Sequence, residues 1–134
     1  MKSKQIILAI DFDHTISKTN WPTILGLRSG AKYFINKLYN SGKYYIIIWT
    51  CRNDEHEADA FVFLQNNGVN FHSINRQHPH LVEYFQNDTR KISADIYIDD
   101  KGLWLLKIPH WIILFLLIRL RSLFIVPVLT QFKK

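Results

Sequence analysis

The chain is poor in the residues that staple or punctuate small folds. Its single cysteine, Cys51, excludes an internal disulfide and a cysteine-rich zinc site. With only 5 glycines and 4 prolines, it is neither a low-complexity nor a collagen-like sequence. It contains no internal repeat, no Gly-Lys-Thr phosphate loop and no Gly-x-Gly-x-x-Gly, which argues against a nucleotide-cofactor enzyme. No uninterrupted apolar stretch reaches the roughly 18–20 residues of a membrane-spanning helix, so no integral span is expected. The opening Met1-Lys2-Ser3-Lys4 reaches acidic residues after one short strand, unlike a signal peptide, and a cytoplasmic location is the expectation.

What is present suffices for one domain: 134 residues can bury a core without disulfides or structural metal. The formal net charge of +6 favours phosphorylated substrates, nucleic acid or an anionic surface. Those charges are scattered, however, and a dedicated nucleic-acid binder is not required.

Hydrophobic patterning organises the chain. Gln5 to Ile10 is an aliphatic run of the kind found in strands buried on both faces, and it ends in Asp11-Phe12-Asp13-His14-Thr15. Residues 16–29 read as a loop over the sheet edge. Gly30 to Asn40 has helical periodicity, with Phe34, Ile35, Leu38 and Tyr39 on one side. Tyr44 to Trp49 is a second buried strand, ending in Thr50-Cys51-Arg52. Asn53 or Asp54 can cap a helix to about Asn67, Asp54 with Glu57 having capping-box spacing, and this helix is expected to bury Ala58, Phe61, Val62 and Leu64. Val69 to Ile74 reads as a third strand, His80 to Phe85 as a short helix, and Ala94 to Ile98 as a fourth strand ending in Asp99-Asp100. A helix is expected from about His110 to Arg121. The tail beyond it can dock on the domain, on a second subunit in a homo-oligomer, or at a membrane surface.

Strands alternating with helices predict an α/β fold with a central parallel sheet. Right-handed crossovers put all strand ends on one edge, bringing Asp11, Asp13, Thr50, Asp99 and Asp100 within reach of one another. Ligands of open α/β sheets bind at that edge. Neighbouring carboxylates repel, and a hard divalent cation with oxygen ligands, Mg²⁺ above all, is the natural compensation.

These pieces, with Lys91 just upstream of the fourth strand, resemble the haloacid dehalogenase superfamily of aspartyl-phosphate-forming phosphohydrolases, whose four motifs occur in this order. The resemblance covers residues 5 to about 101 and is most specific over Arg90 to Asp100. It implies a Rossmann-like three-layer sandwich, with a hydrolase domain over residues 1–121 and a hydrophobic tail over 122–134. It also implies Mg²⁺-dependent phosphomonoester hydrolysis, with Asp11 as nucleophile and Asp13 as general acid and base. Thr50 and Lys91 would bind the phosphoryl oxygens, and Arg52 would either clamp a substrate phosphate or form a surface ion pair. Metal ligands would be Asp11, the Asp13 main-chain carbonyl, Asp100, and Asp99 directly or through water. The substrate implied is a phosphorylated small molecule, nucleotide or nucleic-acid end.

The sequence departs from the family pattern in two ways. His14 stands where glycine is usual, as a turn residue that avoids φ > 0 or tolerates it, or as a side chain that faces the substrate or shifts the pH optimum. The intervals between motifs are also too short for a cap domain, so the site is expected to be open. The competing reading is a catalytically idle Mg²⁺- and phosphate-binding module whose apolar tail serves association. His72, His78 and His80 lack the spacing of a histidine metal site. Cys51 and Arg52 are adjacent, unlike the pair in cysteine phosphatases.

Overall fold

The computed structural model describes residues 4–102 and 110–132. Its centre is a parallel sheet of four strands in the order β5-β4-β1-β6. These are β1 (Ile6–Ile10), β4 (Tyr44–Ile48), β5 (Ser73–Ile74) and β6 (Ile96–Ile98). A separate antiparallel hairpin, β2 (Ser17–Asn20) and β3 (Thr23–Leu27), follows β1. The helices are α1 (Ala31–Asn40), α2 (Asp54–Asn66), α3 (Pro79–Phe85) and α4 (Trp111–Ser122), and a 3₁₀ turn covers Val128–Thr130.

Strand alternation divides the core in two. Ile6, Leu8 and Ile10 of β1 face one side with Ile46 and Ile48, against α1, α2 and α4. Ile7, Ala9 and Ile47 face the other, where Leu81 of α3, Ile92 and Leu129 cover them. All five β1 residues are buried, as a strand between two apolar layers requires. The architecture is therefore a Rossmann-like three-layer α/β sandwich. Leu129 brings part of the C-terminal tail onto the second face, and Asp95 anchors it by accepting from Val128 N–H at 2.8 Å.

Four expectations change. Residues 16–29 are not a simple loop: they hold the β2–β3 hairpin, which turns at a cis Trp21–Pro22 bond. The buried residues of α2 are Ala60 and Leu64, while Ala58, Phe61 and Val62 are exposed. Its capping box does not form, because Asp54 lies at φ 47° and the Glu57 carboxylate accepts from Asn75 Nδ2 at 2.8 Å instead. Finally, β5 and β6 are shorter than expected because side chains replace backbone acceptors in the ladder. His72 Nδ1 accepts from Ile46 N–H at 2.9 Å, and Asp95 Oδ2 accepts from Ile7 N–H at 2.8 Å.

Candidate functional site

Parallel pairing of β1 with β4 and β6 puts the ends of these strands at one edge. Asp11 follows β1 and Asp99-Asp100 follow β6, and one carboxylate oxygen of each residue lies within 4.8 Å of the others. No other such group of potential metal ligands occurs among the described residues. Burial, a hydrogen bond with Asp100 and the charges of Asp99 and Asp100 push the Asp11 carboxyl up to about 8. Thr15 opposes them by donating its hydroxyl to Asp11 Oδ2 at 3.3 Å. The same hydroxyl accepts from Asp100 N–H at 2.9 Å, tying the first loop to the last. From below, the Trp111 indole donates to the Thr15 carbonyl at 2.9 Å.

His14 sits at φ 64° within this loop, so the left-handed conformation is present and histidine, not glycine, adopts it. The turn also closes on itself, with Ile16 N–H and Ser17 N–H both donating to the Phe12 carbonyl at 2.9 and 3.0 Å.

Asp13 faces a different partner. Arg52 grips its carboxylate in a fork, with Nε at 2.9 Å from Oδ2 and Nη2 at 2.7 Å from Oδ1. Thr19 Oγ1 donates to Oδ1 at 2.8 Å. Arg52 is only 1 % exposed, and its Nη2 also donates to the Pro22 carbonyl at 3.1 Å. Its guanidinium carbon lies 5.3 Å from the Phe12 ring centre and 4.8 Å from that of Trp21. Those ring faces flank a cation whose Nη1 has no hydrogen-bond partner among the described residues. The surface ion pair considered for Arg52 is thus a buried one, and its guanidinium is committed to Asp13. The signal for this pair was absent from the sequence, since the partners are 39 residues apart.

Thr50 stands at the end of β4. Its N–H donates to Asn75 Oδ1 at 2.8 Å, and its Oγ1 accepts from Arg52 N–H at 3.1 Å. Asn75, at φ 50°, also donates to the Arg52 carbonyl at 3.0 Å and so fixes the loop from 50 to 52. Sequence reasoning missed Asn75 and Thr19, which do not stand out without tertiary contacts, and took Thr15 only as part of the first motif. Lys91 is exposed, with its ammonium 5.9 Å from the Tyr97 ring centre and no ion pair among the described residues.

The histidines serve structure. His78 Nδ1 accepts from His80 N–H at 3.1 Å, and the His72 and His78 rings both pack on Tyr45, 4.4 and 4.3 Å between centres. Cys51 is exposed and forms no disulfide.

Three hard carboxylates can ligate a divalent cation, and a nucleophilic carboxylate beside it can attack an electrophile the cation holds. No helix among the described residues is long and apolar enough to cross a membrane. No family model matches the chain, and no curated protein matches it. The fold is similar to that of a solved structure titled as a conserved protein from Bacteroides thetaiotaomicron. The two share 29% identity at a TM-score of 0.74, over 87% of this chain and 92% of that one.

Proposed function

We propose that the chain is a phosphomonoester hydrolase of the haloacid dehalogenase type, working through an aspartyl-phosphate on Asp11. The observation that carries this reading is the convergence of Asp11, Asp99 and Asp100, in which burial and the two neighbouring acids push the Asp11 carboxyl up to about 8. The donor set is all oxygen and suits Mg²⁺. Asp11, Asp99 and Asp100 would hold the ion, together with the Asp13 main-chain carbonyl. When bound, it supplies the positive charge that lets an anionic nucleophile approach a phosphate dianion.

An Asp11 carboxylate oxygen attacks phosphorus as the bond to the leaving oxygen breaks. Asp13, having left the Arg52 fork and taken a proton from solvent, gives that proton to the leaving oxygen. Water then attacks the aspartyl-phosphate phosphorus, gives its proton to Asp13, and releases inorganic phosphate with Asp11 restored. Arg52 and Thr19 orient Asp13, and their grip is the contact Asp13 exchanges when it turns to the leaving group. The Thr50 hydroxyl donates to a phosphoryl oxygen. Lys91 has the same role by family resemblance, its contact in the structure being with Tyr97. A nucleotide or polynucleotide end is the favoured substrate class, on the strength of the net charge of +6 and the short intervals that leave no cap.

The test is p-nitrophenyl phosphate hydrolysis with Mg²⁺, with EDTA, and in Asp11→Asn. Turnover that needs Mg²⁺ and disappears in Asp11→Asn is the expected result. A purified, Mg²⁺-binding protein without turnover on this substrate or on nucleotides would transfer the assignment to an idle binding module.

A further inference from the structure

We propose that the outer face of α4 and the segment Leu123–Val126 seat this protein on the surface of an anionic lipid bilayer. From Trp111 to Ile118, helix α4 is apolar around its whole circumference. Trp111, Leu114, Phe115 and Ile118 are buried against the domain. The opposite side, Ile112, Leu116, Leu117 and Leu120, is exposed. Directly after it, Leu123 is 76 %, Phe124 74 % and Val126 69 % exposed. Apolar side chains scattered singly on a surface need no explanation, but a contiguous set on one helix and its extension does. A helix that is hydrophobic all round normally has an apolar medium on every side.

Charge identifies the medium. All 11 acidic residues lie at or before Asp100, whereas the chain beyond carries Lys101, Lys107, Arg119, Arg121, Lys133 and Lys134. Arg119 and Arg121 are exposed at the end of α4 and have no carboxylate partner among the described residues. An apolar helix face with arginines and no acid is complementary to a bilayer interface bearing anionic headgroups. A second copy of this chain suits the face poorly, because isologous pairing would bring like charges together with no acid to offset them.

The placement also leaves the carboxylate edge free. Tyr44, which opens β4, donates its hydroxyl to Ser122 Oγ at 3.0 Å, so Leu123–Val126 lies where the strands begin. Asp95, just before β6, anchors Val128 at the same edge. The Asp11, Asp99 and Asp100 cluster is at the other end of the strands.

The experiment is flotation of the full-length protein with vesicles of phosphatidylcholine alone and of equal parts phosphatidylcholine and phosphatidylglycerol. The protein is expected to float with the mixed vesicles and much less with the zwitterionic ones. Arg119→Gln with Arg121→Gln should weaken binding to the mixed vesicles about thirtyfold, from the attraction each cation has for an anionic surface. Leu116→Gln, Leu123→Gln and Phe124→Gln together should abolish flotation with both, with an unchanged melting curve because all three side chains are exposed. Protein that stays in solution with both vesicle types overturns the proposal. So does a triple variant that floats like the parent, or a lipid-free dimer that the same triple substitution dissociates.

Discussion

Replacing Asp11 by asparagine should stabilise the cation-free protein, and the gain should grow with pH. Burial and the neighbouring acids push the Asp11 carboxyl of the folded chain up to about 8, against an ordinary value of 3.8. Between those values the native state binds more protons than the unfolded one, so stability falls as pH rises. The contribution is fully present below the unfolded value and is lost as pH passes through the folded one. Taken at face value, the shift amounts to about 5 kcal/mol by pH 8. Water reaches this half-buried carboxyl, and the proton is shared among three acids, so a discounted figure of about 2 kcal/mol is the expectation. Asparagine keeps an oxygen for the Thr15 hydroxyl and removes the charge, so the substitution isolates the repulsion. Urea denaturation in EDTA reads it directly, with the variant gaining on the parent from about pH 4 to about pH 8. Adding Mg²⁺ at the higher pH should stabilise the parent far more than the variant. A gap that does not change with pH, or equal stabilisation of both proteins by Mg²⁺, would refute the reasoning.

Three further substitutions probe the supports of the site and of the fold. Arg52→Gln leaves the Asp13 carboxylate and the Pro22 carbonyl without their buried partner, and should cost about 3 kcal/mol in urea denaturation. Conversely, Arg52→Gln at parental stability would show that the fork contributes nothing to the fold. Thr15→Val keeps the shape but removes the hydroxyl that meets both Asp11 and Asp100 N–H, costing about 1–2 kcal/mol by the same measurement. Weaker Mg²⁺ binding by calorimetry should accompany that loss, and unchanged affinity would separate Thr15 from the cluster. Leu129→Ala, at a position 2 % exposed, should cost about 2–4 kcal/mol. A cost under about 0.5 kcal/mol, the range of surface substitutions, would mean the tail does not pack on the sheet in solution.

The features legible in the sequence are those set by period and order. The aliphatic runs at Ile6–Ile10 and Tyr44–Ile48 read as buried strands, and parallel pairing then joined Asp11 to Asp99 and Asp100. The hairpin escaped notice because Ser17–Asn20 is short and polar and Pro22 interrupts any strand pattern. The face of α2 was misjudged because the exposed Phe61 and Val62 are as apolar as the residues it buries. Asn75 illustrates the deepest gap: its left-handed backbone and its bonds to Thr50, Arg52 and Glu57 arise only once β4 and β5 are side by side. Arg52 adjoins Cys51 in sequence, yet its chemistry is decided by Asp13 at the end of another strand.

The central claim is a covalent phosphoryl group on Asp11, and an acid-quenched single turnover of a phosphomonoester with radiolabelled phosphate tests it most directly. The account predicts labelled protein whose label is released by hydroxylamine and maps to the peptide containing Asp11. Substrate turnover with no label on the protein, or label on any other residue, would contradict it.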